Sequence, residues 1–240
     1  MDPQITTVIP TYRRPSLVRR AVLSVLGQTY PDLVVHVYDN ASGDETANVV
    51  NELARQDPRV KYHCHRENLG AHENFNFGMS HVDTPFFSLL SDDDALLPRF
   101  YESAMAAFER YGEAGIFAGV TLRSDFAGHV LDVPMARWAE GLYRPPTGLM
   151  EILRKEHPDW TGVVFRKDVC QTVGLLDSET GVASDYDFEL RATARFALVV
   201  SAQPCAVLFS HPEALTVRRT LTFTGPVCCG WPRSCPRLRR

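Results

Sequence analysis

Two hydrophobic periods alternate along the first 112 residues, and that alternation restricts the fold more than any other feature of the chain. "ITTVI" at 5–9, "LVVHVYD" at 33–39, "RVKYHCH" at 59–65 and "PFFSLLS" at 85–91 are short runs rich in β-branched and aromatic residues. Between them, "SLVRRAVLSVLGQ" sets Leu17, Ala21, Val22, Val25 and Leu26 at helical spacing. "GDETANVVNELARQ", "GAHENFNFGMSHV" and "RFYESAMAAFERYG" also read as helices, the first of them opened by acidic residues. Parallel strands need crossover helices, and those helices cover the sheet. The expected class is therefore α/β, a Rossmann-like, mostly parallel central sheet flanked by helices.

After Gly112 the pattern loosens. "AGIFAGVTLRS" and "HVLDV" read as strands, 135–146 as a mobile loop, and "GLMEILRKE" as a helix. "WTGVVFRKDVC" runs from strand into helix, "DYDFELRATARF" is an amphipathic helix and "ALVVSAQPCAVLF" a late strand. The expectation is one domain over 1–225, in two parts, 1–112 and a smaller 113–225. An irregular tail at 226–240 completes the chain.

Charge and composition exclude several classes of function. Lys plus Arg is 25 against 29 for Asp plus Glu, so the net charge of −4 does not suit a nucleic-acid partner. No apolar run approaches the ~20 residues that span a bilayer. A first strand from Ile5 leaves no room ahead of it for a signal peptide. Cys64, Cys170 and Cys205 are scattered singly, as free thiols are, so the expected compartment is the reducing cytoplasm. The arginines at 218, 219, 233, 237, 239 and 240 suit either peripheral association with an anionic membrane surface, at its inner face, or an unstructured end.

Three strand ends are polar: "IPTYRRP" after the first strand, "YDNASGDET" after the second and "SDDDALLP" after the fourth. Open α/β sheets bind ligands outside the carboxyl ends of their strands. Adjacent carboxylates repel by roughly 2–3 kcal/mol at about 6 Å and an effective dielectric near 20. A bridging divalent cation turns that repulsion into binding. In an extended segment Asp92 and Asp94 point one way and Asp93 the other, which makes Asp92 and Asp94 a hard-oxygen pair for Mn²⁺ or Mg²⁺. Asp39 stands where a strand meets a turn, placed to accept hydrogen bonds from a base or ribose or to form the turn itself. Trp160 reads equally as a sugar-stacking ring or as strand packing. Neither a dinucleotide fingerprint nor a P-loop is present.

The order of these pieces resembles glycosyltransferase family 2, with the GT-A fold. "TTVIPTYRRPSLVRRAVLSVLGQTYPDLVVHVYDNASGDET" resembles the family's start, and "ENLGAHENFNFG" its next block. "LLSDDDALLP" resembles its D-x-D segment, and "WTGVVFRKDV…GLLDSETGVASDYDFELR" its acceptor-side block. The resemblance implies an inverting, metal-dependent transfer of a sugar from a UDP-, dTDP- or GDP-linked donor. The acceptor would be a hydroxyl of a glycan, a lipid-linked molecule or a small molecule, as in cell-envelope polysaccharide synthesis. It implies that 1–112 is the nucleotide-binding part and 113–225 the acceptor-binding part, and that Pro10, Thr11, Tyr12, Asp39, Asn68, Asn74, Asp92, Asp93 and Trp160 hold the nucleotide-sugar. Asp92, Asp94 and His211 would hold the cation, and Asp185 would be the catalytic base. Two departures stand out. Ser184 replaces the glutamate before that base, and Asn74 stands in a block where many members carry an arginine. If the segment is helical at both positions, Asp185 and Asp187 lie about 200° apart, so one base excludes the other. Two competing readings are a transferase-like domain that binds without turnover and a sugar nucleotidyltransferase. The latter needs a Gly-rich loop that "PTYRRPS" does not supply.

Overall fold

The computed structural model describes residues 4–210. Among the described residues, eight of the ten strands follow the expected order: β1 (Ile5–Thr11), β2 (Leu33–Asp39), β3 (Val60–Cys64), β4 (Phe86–Leu89), β6 (Ala114–Ser124), β7 (Val130–Asp132), β9 (Val163–Arg166) and β10 (Ala197–Phe209). Two short ones join them: β5 (Ala95–Leu96) and β8 (Gly141–Tyr143). The helices are α1 (Pro15–Leu26), α2 (Thr46–Gln56), α3 (Ala71–Ser80), α4 (Phe100–Arg110), α5 (Thr147–Arg154), α6 (Lys167–Val173) and α7 (Ser184–Thr193).

One sheet runs β3-β2-β1-β4-β9-β6-β10-β5. The pairs β3-β2, β2-β1, β1-β4 and β6-β10 are parallel, while β9 is antiparallel to both β4 and β6. The sheet is therefore mixed but mostly parallel. Strand order reverses at β1, which has β2 on one side and β4 on the other. Such a reversal opens a crevice at the carboxyl ends, because the two flanking crossovers leave on opposite faces.

Alternation along the strands divides the core in two. Ile5 and Ile9 face one apolar cluster with Val18, Val22, Val25, Val50, Leu53 and Phe100, so α1, α2 and α4 cover that face. Val8 faces the other with Met79, Ile152, Val169 and Phe188, from α3, α5, α6 and α7. The segment 135–146 is not the expected loop. Met135 and Trp138 are buried, and β8 pairs antiparallel with β10. Its aromatic residues are core contacts, which periodicity cannot reveal in so short a run. The expected tail, and the last residues of the expected domain, lie outside the described residues.

Candidate active site

The carboxyl ends of β1, β2 and β4 meet at the crevice. Thr11 and Asp39, the last residues of their strands, are register partners. Two backbone outliers lie just beyond, Arg13 at φ 55° and Ala41 at φ 59°. Each left-handed non-glycine residue costs about 1–3 kcal/mol and persists only where the surroundings fix it. Here Ser42 fixes both loops: its Oγ accepts from Arg13 N at 2.8 Å, and its carbonyl accepts from Arg13 Nε at 3.1 Å. Ser42 N in turn donates to Asp39 Oδ1 at 2.9 Å. Asp39 is thus a turn-former, and its Oδ2 accepts from Tyr62 OH at 2.6 Å. Burial and the neighbouring Asp39 raise the Tyr62 phenol well above its ordinary pKa, so Tyr62 remains the donor.

The three aspartates are not extended. Asp92 and Asp93 form a turn closed by Asp94 N on Ser91 O at 3.1 Å, so the expected strand alternation does not apply. Asp92 accepts from Thr11 Oγ1 at 2.8 Å and from Arg14 Nη1 at 2.9 Å. The same Arg14 nitrogen donates to Asp93 Oδ2 at 2.8 Å, and Arg20 donates to the Asp93 carbonyl. Burial raises the pKa of Asp92, Arg14 opposes that shift and Asp93 adds to it.

Asp94 is held by hydrogen bonds on both of its oxygens. It is 3% exposed, and its two oxygens accept from Thr161 Oγ1 at 2.7 Å and from Phe209 N at 3.0 Å. Burial, with Asp93 adding, pushes its pKa up to about 8 against the pull of those two donors. Asp94 joins the acidic turn to the end of β10 and to the 160–162 segment. The oxygens that converge are those of Asp92 and Asp93, from two carboxylates drawn onto one guanidinium nitrogen. That pair fits a hard divalent cation. Among the described residues no group of three or more His, Cys, Asp or Glu is arranged to hold a metal, so donor phosphates and water would complete such a shell.

The acceptor-side block is held by α3. His72 Nε2 lies 2.7 Å from the Gly181 carbonyl and 3.0 Å from Ser184 Oγ, and the Asn76 side chain bonds both N and O of Leu176. Asp185 sits half-buried in the first turn of α7, its Oδ1 accepting from Tyr186 N at 2.8 Å. Asp187 is bridged to Arg191 Nε at 2.8 Å, one helical turn on. Arg191 also donates to the carbonyls of Val173 and Leu175. Asp187 therefore belongs to the bracing of the helix, which leaves Asp185 as the candidate base.

Beneath that helix, His157 Nδ1 meets the buried Glu189 Oε2 at 2.9 Å. Burial alone would lower the pKa of His157. The bond and charge of Glu189, with Asp185 and Asp159 behind it, raise it to about 9. The charge of Asp159 is felt at Asp94 as well, so 157–161 connects the acidic turn with the surroundings of Asp185. His72, His157, Glu189 and Arg14 are absent from the sequence reading, and no spacing marks them; only their tertiary contacts do.

Other expected residues divide. Tyr12 is 38% exposed beside the crevice, with Arg13 over its ring at 5.1 Å. Asn68 Oδ1 accepts from Asn40 Nδ2 at 3.1 Å and from Gly70 N at 2.9 Å, holding the turn before α3. Asn74 is buried. It donates to the Tyr38 carbonyl at 2.9 Å and pairs with His65 Nε2 at 2.9 Å, so it does not reach out as a substitute for an arginine. Pro10 is buried within β1. Trp160 begins a single 3₁₀ turn rather than a strand and packs on Phe75 at 5.3 Å. His211 lies outside the described residues.

Comparison with known proteins agrees with this arrangement. Residues 1–349 of S. aureus TarS in complex with UDP match with a TM-score of 0.71 at 18% identity, over 89% of this chain and 62% of that one. The mannosyltransferase PcManGT from Pyrobaculum calidifontis, in complex with GDP-Man and Mn²⁺, matches with a TM-score of 0.65 at 17% identity, over 91% and 60%. These likenesses show a GT-A fold. A GalNAc(5)-diNAcBac-PP-undecaprenol beta-1,3-glucosyltransferase of Campylobacter jejuni is 34% identical over 96 residues, 40% of this chain and 31% of its own length. An uncharacterized glycosyltransferase of Haemophilus influenzae is 24% identical over 171 residues, 71% of this chain and 47% of its own length. The chain therefore spans less than half the length of either relative within the matched regions. The model of glycosyl transferase family 2 matches residues 6–174, from the first strand through the acidic turn to the end of α6, and the chain belongs to that family.

Proposed function

We propose that the protein is a metal-dependent, inverting glycosyltransferase that moves a sugar from a nucleoside-diphosphate sugar to a hydroxyl of a glycan, a lipid-linked molecule or a small molecule. The observation that carries this reading is the convergence of Asp92 and Asp93 on one cationic nitrogen at the strand-order reversal. Binding of UDP by one neighbour, and of GDP-Man with Mn²⁺ by another, supports the donor class. The C. jejuni relative's lipid-linked acceptor supports the acceptor class.

In this reading Asp39, Thr11 and Tyr12 border the base and ribose. Asp92 and Asp93 would hold Mn²⁺ or Mg²⁺, which when bound stabilises charge on the departing diphosphate. Asp185 takes the proton from the attacking hydroxyl oxygen as that oxygen bonds to the anomeric carbon. His72, through Ser184 and the Gly181 carbonyl, holds the helix start that presents Asp185. No helix among the described residues is long and apolar enough to cross a membrane, and we place the reaction at the cytoplasmic side.

A panel of UDP-, dTDP- and GDP-sugars, screened for Mn²⁺-dependent thermal stabilisation, identifies the donor. At 100 times its dissociation constant a ligand adds about 2.7 kcal/mol. With the donor known, Asp185→Asn is expected to leave donor binding intact and to lower the rate of nucleoside-diphosphate release by about 10²–10⁴-fold. An equal loss in Asp187→Asn, with Asp185→Asn fully active, would overturn the base assignment.

A further inference from the structure

The crevice already holds a cation, and it belongs to the protein. Arg14 ends the loop after β1, immediately before Pro15 opens α1, and one of its nitrogens stands 2.9 Å from Asp92 Oδ1 and 2.8 Å from Asp93 Oδ2. A divalent ion shared by the same two carboxylates would occupy that same gap. We propose that Arg14 is a built-in stand-in for the metal, closing the acidic turn in the empty protein and making uptake of the divalent cation depend on arrival of the nucleoside diphosphate.

The argument is one of charge and geometry. Asp92 and Asp93 carry two negative charges, and Arg14 and Arg20 hold the same turn with two positive ones. Two guanidinium groups therefore already stand at this turn. A divalent cation alone must break two charge-assisted hydrogen bonds and adds its charge beside both guanidinium groups in a half-buried cleft. A diphosphate entering with the cation offsets that charge and offers the displaced guanidinium new acceptors. Metal and nucleotide thus strengthen each other's binding, and by linkage the effect is equal in both directions. Arg14 is fit for this role because its backbone is fixed on both sides. Arg13 is tied to Ser42, and Val18 N bonds the Arg14 carbonyl at 3.0 Å, so only the side chain has to move. A lysine would serve less well, because a point charge on a flexible stem holds two carboxylates less rigidly than a planar guanidinium.

This inference rests on the cation-binding reading of Asp92 and Asp93, and one titration separates the two. Mn²⁺ binding is measured by electron paramagnetic resonance of the free ion, for wild type alone, wild type with UDP or GDP, and Arg14→Gln alone. Circular dichroism and Tm report folding. Arg14→Gln without nucleotide is expected to bind Mn²⁺ about tenfold more tightly than wild type, the equivalent of one competing charge-assisted bond removed. Arg14→Lys is expected to gain about threefold by the weaker hold of its ammonium group. If Arg14→Gln does not fold, Arg14→Lys decides. Wild-type affinity for Mn²⁺ in the folded variants overturns the role of Arg14, whatever nucleotide does. Failure of wild type to bind Mn²⁺ even with UDP and GDP overturns the metal reading instead, and leaves the comparison of variants to judge Arg14 by itself.

Discussion

Three identical neighbours, Asp92, Asp93 and Asp94, have three different surroundings. Asp92 is buried between Thr11 and Arg14, Asp93 is turned further out, and Asp94 is sealed against Thr161 and the Phe209 amide. The sequence marks all three as acidic and none as distinct. Asp94→Ala leaves a buried hydroxyl and a part-buried amide without their acceptor, each worth about 1–3 kcal/mol. Urea unfolding in EDTA is expected to show a loss of about 2–4 kcal/mol for Asp94→Ala. Asp93→Ala should cost much less stability but abolish the Mn²⁺-dependent part of nucleotide binding. An Asp94→Ala protein as stable as wild type, yet deaf to Mn²⁺, would return the cation to Asp94.

At the scale of elements, α3 connects the two halves of the site. Its inner face sits so close to β1 and β2 that a Cβ on Gly78 would lie 2.4 Å from Val8 Cγ1 and 3.0 Å from the Tyr38 ring. Its outer end carries His72 and Asn76, which hold the block before α7. Alanine at 78 gains up to about 1 kcal/mol of helix propensity. The clash with a buried, β-branched strand side chain costs about 1–3 kcal/mol and outweighs it. Gly78→Ala is expected to lower the unfolding midpoint. It should also slow turnover more than it weakens donor binding, because displacing α3 moves Asp185 and leaves the acidic turn in place. Unfolding curves and the split between kcat and donor affinity check this. The sequence shows α3 as a helix, but not that it anchors a segment 100 residues away.

On the largest scale, the His157–Glu189 pair binds the long segment before β9 to α7. The pKa of His157 is about 9 when folded and about 6.5 when unfolded. A raised pKa means that the folded state binds the proton more tightly. The stabilisation is fully present below about pH 6.5 and is lost as pH rises through about 9. The double variant His157→Gln, Glu189→Gln lacks this contribution. Thermal unfolding from pH 6 to pH 10 is expected to show the margin of wild type over the double variant shrinking across that window. A margin that grows with pH would mean that the histidine is held neutral.

The alternating periods alone called for a helix-covered, mostly parallel sheet, because they leave few ways to bury four apolar strands. The sequence also determined which polar strand ends share the crevice, because parallel strands in that order deliver their carboxyl ends to one edge. The strand-end positions of Asp39 and of the acidic turn were legible for that reason, whereas Asp185, on α7, was expected from the family resemblance alone. The tertiary structure decided how the work is divided among them. Asp187 is engaged by Arg191, and Asn74 by the backbone of β2 and by His65. Asp94 is taken by a threonine 67 residues away and an amide 115 residues away, and Arg14 reaches carboxylates 78 and 79 residues on. A hydrogen bond is decided over tenths of an ångström, and pairs so distant along the chain leave no period or spacing in it.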